Sequence, residues 1–141
     1  MQIGVDAQRA VETKRLFIVD DNDVTGMALQ FMLADEAEAH VFDNLPAALD
    51  KALSSPPLVV ILGEDLFAAQ GCAALEQLKS ALPDANVLLV TSDASAPQIQ
   101  AGLSAGAAGT LERPLKLEQV RRKVDRQLGR RTALIIPVIP V

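Results

Sequence analysis

Pro56-Pro57-Leu58-Val59-Val60-Ile61-Leu62-Gly63-Glu64-Asp65 holds the most informative pattern in the chain. Leu58–Leu62 is short, continuously apolar and partly β-branched, which marks a strand buried on both faces rather than a helix. The two prolines fix where it begins. Strands of this kind lie in the middle of parallel sheets covered by helices on both sides. In open sheets of that type, ligands collect just past the carboxyl ends of the strands. The chain delivers Gly63 to that place, followed by the acids Glu64 and Asp65.

On the amino-terminal side, Leu16–Val19 reads as a first strand that delivers Asp20, Asp21 and Asn22. Val24, Met27, Ala28 and Phe31 then recur at helical spacing and mark a first helix, with Asn22 or Asp23 as its cap. Ala39–Phe42 is a short second strand. Ala48, Leu49, Ala52 and Leu53 mark a second helix, with Pro46 near its start. On the carboxyl side, Gly63–Gln70 reads as a loop. Gly71 precedes a third helix with Leu75, Leu78 and Leu82 on one face, stopped by Pro83 and Asp84. Val87–Val90 is a fourth buried strand that delivers Thr91 and Ser92. Ser95 and Pro97 open a fourth helix containing Ile99 and Leu103. Gly106 and Gly109 bracket a turn into a fifth strand, Thr110–Glu112, which Arg113-Pro114 follows. Leu117, Val120, Val124 and Leu128 define a last helix, ended by Gly129. Its outer face is basic, with Arg121, Arg122, Lys123 and Arg126.

Strands alternating with helices across short loops imply parallel pairing through right-handed crossovers. The expected fold is α/β: a doubly wound, five-stranded parallel sheet in a three-layer, flavodoxin-like sandwich. The domain spans 15–129, after a polar arm over 1–14 and before an apolar tail over 130–141. The strand ends at Asp20/Asp21, Gly63, Thr91 and Glu112/Arg113 converge on one edge.

Composition narrows the function. The 141 residues suit one domain with a core, and a hydrophobic content of 50% argues against disorder. Aromatic residues are only 3%, without Trp or Tyr, so stacking on bases is not a theme. A net charge of −5 argues against a nucleic-acid partner. Cys72 stands alone, which excludes an internal disulfide and a thiolate metal cluster. Residues 1–14 lack the apolar centre of a signal peptide and no run approaches membrane-spanning length, so no membrane partner and a cytoplasmic location are expected.

Several of these segments carry a family resemblance. Phe17-Ile18-Val19-Asp20-Asp21 resembles the opening acid pair of a response-regulator receiver domain. Val87–Val90 followed by Thr91 resembles that family's fourth strand and its phosphate-contacting hydroxyl. Gly102, Ala105-Gly106-Ala107 and Gly109 resemble the small-residue run before the fifth strand. Arg113-Pro114 falls where the family has Lys-Pro, with a peptide bond that is usually cis. In order, these segments cover residues 15–129. The resemblance implies the (βα)5 receiver fold and a place in two-component phosphorelay signalling. It also implies a protein partner: a histidine kinase, another regulator or an output domain.

The departures from the family bear on function. In receivers, a carboxylate at the end of the third strand takes a phosphoryl group from a histidine kinase. The spacing back from Gly71 puts Gly63 at that phosphoacceptor-equivalent position, and glycine has no nucleophile to offer. A register shifted by one or two residues would bring in Glu64 or Asp65. Phosphorylation at Asp65, Glu64 or the Asp20/Asp21 pair therefore stays open as a second reading. Arg113 stands for the family's lysine and Thr110 for its aromatic switch residue. By this resemblance Asp20, Asp21 and Asp65 form a relic acidic pocket, with Thr91 and Arg113 as phosphate-contact equivalents.

A complete pocket of that type sets three carboxylates against one cation, and Mg²⁺ neutralises the surplus. Here Asp20 and Asp21 face Arg113. Mg²⁺ relies on one or two carboxylates together with waters and phosphate oxygens, so only weak binding at Asp20 and Asp21 is expected. Arginine favours forked carboxylate contacts, and a bridge from Arg113 to Asp20 or Asp21 is expected in the ion's place. Without the resemblance, the two acids also suit a helix start at the positive end of its dipole, and Thr91 suits a turn.

The chain thus reads as a non-enzymatic signalling module, an atypical or pseudo-receiver working by protein–protein contact. The surface implied joins the fourth helix, fifth strand and last helix through Gln98, Gln100, Glu112, Lys116, Gln119 and Arg122, for a homodimer or a docked partner. A third reading is a flavodoxin-like binder of a small cofactor. Against it, no glycine-rich phosphate loop follows the first strand, where Asp20-Asp21 would repel phosphate. His40 and Cys72 read as packing or surface residues. The tail segment Ala-Leu-Ile-Ile-Pro-Val-Ile-Pro-Val, Ala133–Val141, is too short to span a bilayer. Its prolines exclude a helix interior or a central strand. So apolar a segment needs cover: its own domain, a second copy, or continuation into a further domain.

Overall fold

Five parallel strands, β1 (Arg15–Val19), β2 (Glu38–Phe42), β3 (Val59–Leu62), β4 (Asn86–Thr91) and β5 (Gly109–Glu112), pair in the order β2-β1-β3-β4-β5 in the computed structural model. The structure describes residues 14–35 and 37–129, so the arm over 1–13 and the tail over 130–141 lie outside the described residues. Six helices complete the described part: α1 (Asp23–Leu33), α2 (Leu45–Ser54), α3 (Glu64–Gln70), α4 (Cys72–Ala81), α5 (Pro97–Ser104) and α6 (Leu117–Gln127). The expected doubly wound, three-layer α/β sandwich is what forms.

Side chains alternate across each strand, which divides the core in two. Phe17, Val19, Val60, Leu62, Val87 and Leu89 face α2, α3, α4 and α5. Leu16, Ile18, Val59, Ile61, Leu88 and Val90 face α1 and α6. The chain runs outward to β2 on one side of β1 and to β3, β4 and β5 on the other. The winding therefore reverses between β1 and β3, the place where open α/β sheets put their sites. The register pairs Val19 with Leu62 and Leu62 with Leu89, so β1, β3 and β4 end close together.

Two local expectations are corrected. Residues 64–70 form a short helix rather than a loop. Gly63 starts it by accepting the Phe67 N–H at 3.0 Å, Glu64 and Asp65 sit in its first turn, and Leu66 and Phe67 are buried beneath it. Acids at the positive end and two buried anchors favour the turn, but seven residues are too few to show a period. Gly71 ends it with φ 64°, a conformation glycine adopts without strain.

The second correction concerns α1. Val24, Met27 and Phe31, which mark the helix in the sequence, are 77%, 65% and 82% exposed. The packed face is instead Thr25, Gly26, Leu29 and Leu33. A Cβ on Gly26 would come within 3.0 Å of the Val41 side chain, so the small residue sets how closely α1 lies on β2.

Candidate functional site

Asp20 leaves β1 with its backbone held: its N–H donates to the Phe42 carbonyl at 2.9 Å. The side chain is 3% exposed. Its Oδ1 accepts the Asn22 N–H at 2.8 Å, and Asn22 in turn caps α1 by accepting the Val24 and Thr25 N–H groups. Burial pushes the Asp20 carboxyl above its ordinary pKa, the Asn22 N–H opposes that rise, and the charges of Asp21 and Asp65 add to it.

Gly63 stands directly across from Asp20, at the end of β3. Its N–H donates to the Val19 carbonyl at 2.8 Å. Its backbone, φ −67° and ψ 154°, is one that any residue adopts. The constraint is space: a Cβ built there would fall within 2.5 Å of both Asp20 carboxylate oxygens. The Asp20 carboxyl therefore fills the volume in which a side chain at position 63 would begin.

Glu64, the first residue of α3, turns toward β4. Its carboxylate accepts the Ser92 N–H at 2.7 Å and the Ser92 hydroxyl at 3.0 Å. Arg113 follows β5 through a cis bond to Pro114. Its Nε lies 3.8 Å from Glu64 Oε1, and its Nη1 donates to Thr25 Oγ1 at 3.4 Å. The expected bridge from Arg113 to Asp20 or Asp21 is thus replaced by contacts with Glu64 and Thr25. The reason is that α3 begins immediately after Gly63 and brings Glu64 within reach. Thr91 is 3% exposed, and its hydroxyl closes on its own loop, donating to the Asp93 carbonyl and accepting the Asp93 N–H. Asp93 accepts both the hydroxyl and the N–H of Ser95, which holds its carboxyl below the ordinary range.

Asp20, Asn22, Thr25, Glu64, Asp65 and Arg113 line a pocket of about 140 Å³. Of the residues expected there, Asp20, Asp65 and Arg113 come together. Asp21 is exposed and is not among the lining residues. Thr25 and Ser92 were not anticipated as site residues. Thr25 lies in the first turn of α1, and Ser92 is placed by β4, so neither carries a local signal. Among the described residues, no group of three or more His, Cys, Asp or Glu side chains is arranged to hold a metal ion.

The other expected surface lies on α5, β5 and α6. Gln98, Gln100, Glu112, Lys116, Gln119 and Arg122 are all exposed. Two of them also act within the chain. Gln98 Nε2 donates to the Phe67 and Ala68 carbonyls at 3.0 and 3.3 Å, and Gln100 Nε2 to the Ala94 carbonyl at 2.8 Å. Lys123 Nζ, on the basic side of α6, donates to the Thr110 carbonyl at 2.9 Å.

Comparison with known proteins places this geometry. A family model described as the response regulator receiver domain matches residues 16–125. A two-component response regulator from Clostridium difficile is 20% identical with a TM-score of 0.74, covering 84% of this chain and 98% of that one. A response regulator from Thermotoga maritima is 17% identical with a TM-score of 0.75, covering 83% and 98%. NtrX from Brucella abortus, solved in complex with ADP, is 21% identical with a TM-score of 0.75, covering 83% of this chain but 26% of that one. A comparison with curated proteins returns no match. No helix among the described residues is long and apolar enough to cross a membrane.

Proposed function

The chain belongs to the response regulator receiver domain family of two-component signalling, and from that premise we propose that it is a degenerate receiver that signals through protein contact without accepting a phosphoryl group. One observation carries this reading: Gly63 ends β3 with no side chain, and the Asp20 carboxyl fills the space beside it. Phosphoryl transfer needs a free carboxylate nucleophile in line with the donor. Glu64 is engaged by Ser92 and Arg113, and the Thr91 hydroxyl by Asp93. The phosphate-contact equivalents Thr91 and Arg113 thus each have a partner in the chain itself, while Asp65, exposed and lining the pocket, is the carboxylate on which the second reading rests.

The donor set departs from that of a family Mg²⁺ site: Asp20 and Asp65 line the pocket, but Asp21 does not, Glu64 is engaged by Ser92 and position 63 offers no oxygen side chain, so only weak binding is expected. No step is assigned to a metal.

The fold is also tied where receivers would have to move. Ser92 is fastened to α3 through Glu64, and α5 is fastened to α3 through Gln98. The surface on α5, β5 and α6, with Glu112, Lys116, Gln119 and Arg122 exposed, suits a docking face for a kinase, another regulator, an output domain or a second copy. The likeness to NtrX covers only a quarter of that protein, so the same fold there is one part of a longer chain.

Incubation with acetyl phosphate or a beryllofluoride mimic, followed by intact mass and amide spectra, tests the reading. No mass gain and unshifted Ser92 and Arg113 resonances are expected. A gain of one phosphoryl, abolished in Asp65→Asn, would instead support the open second reading in which Asp65 is the acceptor.

A further inference from the structure

Three strand ends meet beside Glu64. The register pairs Leu62 with Leu89 and Thr91 with Glu112, and the Arg113 N–H donates to the Thr91 carbonyl at 2.9 Å. Ser92 and Arg113 therefore leave β4 and β5 side by side, and α3 begins next to them on the β3 side. The donors they bring converge. The Ser92 N–H donates to Glu64 Oε2 at 2.7 Å, the Ser92 hydroxyl donates to Oε1 at 3.0 Å, and Arg113 Nε lies 3.8 Å from the same Oε1. Arg113 is steadied by its Nη1, which donates to Thr25 Oγ1 at 3.4 Å. One N–H, one O–H and one guanidinium turned on a single acceptor-only group make a receptor for an oxyanion.

On the reading that position 63 accepts no phosphoryl group, we propose that this receptor is an oxyanion site which the chain fills with its own Glu64 carboxylate. Glu64 is then a built-in ligand. It holds the β4–α5 loop and Arg113 in the anion-bound arrangement with nothing added. The receptor itself is built without it: β4 places Ser92 and β5 places Arg113, while Glu64 arrives on α3. Gly63 has no side chain to reach the same donors, and the Thr91 hydroxyl is closed on Asp93. Both Glu64 oxygens are used, and the 2.7 Å contact has the length of a charge-assisted bond.

The ligand class follows from charge. Asp20 and Asp65 line the same pocket, so a singly charged carboxylate suits the receptor better than a doubly charged phosphate. A tethered carboxylate also has an effective concentration that a free ion does not match. External anions are therefore kept out, and the loop that leads into α5 stays closed without an activating event.

Glu64→Ala in the full chain, followed by hydrogen exchange and amide and guanidinium spectra, tests this. Alanine removes Cγ, Cδ and both oxygens, and acetate carries the same heavy atoms. Exchange at the Ser92 amide is expected to quicken several-fold in the variant, and sodium acetate to reverse most of that change. Sodium chloride at equal ionic strength is expected to leave it as it is, and adding Arg113→Gln to remove the acetate effect. Wild-type Ser92 and Arg113 signals are expected to ignore acetate. No recovery with acetate, equal recovery with chloride, stronger recovery with inorganic phosphate, or an acetate shift in the wild type would each overturn the proposal. Should the alanine variant not fold, Glu64→Gln keeps the shape and one acceptor oxygen. It is expected to move the Arg113 Nε signal and to ignore acetate; an unmoved Arg113 signal would overturn the proposal. No phosphoryl donor is present, so the outcome is separate from the acetyl phosphate test. A failed rescue without any mass gain there strikes the built-in ligand alone, whereas a mass gain there strikes the degenerate reading.

Discussion

The carboxyl group of Asp20 occupies the space that a side chain on Gly63 would enter: a Cβ there would lie within 2.5 Å of both Asp20 oxygens. The two positions are therefore coupled, although they come from different strands and are far apart in sequence. Gly63→Ala is expected to destabilise the fold by about 2 kcal/mol, the size of a local overpacking. It forces Asp20 to rotate and to release the Asn22 N–H. In an Asp20→Ala background the same change should cost little, leaving a coupling of about 1–2 kcal/mol in a double-mutant cycle. Denaturant unfolding of the four chains checks this; additive effects would show that the two positions do not compete for space.

Asp20 is buried and its carboxyl titrates above the ordinary range. Between the unfolded and the raised folded pKa, the native state holds more protons than the unfolded state. Stability is thus full below the unfolded value and falls as pH rises through the folded one. Asp20→Asn keeps an oxygen for the Asn22 N–H and removes the buried charge. It is expected to raise stability at neutral pH by on the order of 1 kcal/mol and to flatten that part of the pH profile. Thermal melts across the acidic range decide it, and a destabilised Asn variant would contradict the argument.

Glu64 ties α3 to the start of the β4–α5 loop through Ser92 and to β5 through Arg113. Glu64→Ala should cost about 1 kcal/mol, since the carboxylate is partly solvated and its bonds are charge-assisted. The more telling readout is local. Hydrogen exchange at the Ser92 amide is expected to quicken well beyond that at Val87–Val90. Unchanged protection at Ser92 would show that the loop is held by something else.

Glu38 on the edge strand takes the Arg15 Nε–H at 2.8 Å and lies 2.7 Å from His40 Nε2. Arg15 first and His40 second hold its carboxyl below the ordinary 4.5, at about 2. Here the sign is opposite to that of Asp20: the contribution is present above pH 4.5 and is lost as pH falls toward 2. The carboxylate is well exposed, so its worth is under about 1 kcal/mol. Glu38→Gln is expected to make acid unfolding less steep in that window, measured by circular dichroism during acid titration.

Much of the architecture was legible before any coordinates. Continuous apolar runs such as Val59–Leu62 and Val87–Val90 occur where a strand is covered on both faces, and the chain alternates them with helices. The position of Gly63 after the third strand followed from that reading. The seven residues of α3 escape sequence reading because about two turns are too few to show a period. The partner of Arg113 was missed because it depends on where α3 begins.

The amino-acid order by itself determined a parallel α/β sheet and the glycine at the end of its third strand, because burial on both faces writes itself into local composition. Which stripe of α1 is packed was decided only in three dimensions. Val24-Met27-Phe31 and Gly26-Leu29-Leu33 both repeat at helical spacing, and closeness to Val41 selects the stripe with the small residue. The direction of the Asp20 carboxyl was likewise left to the fold, since the empty volume it fills is created by a residue brought alongside from another strand.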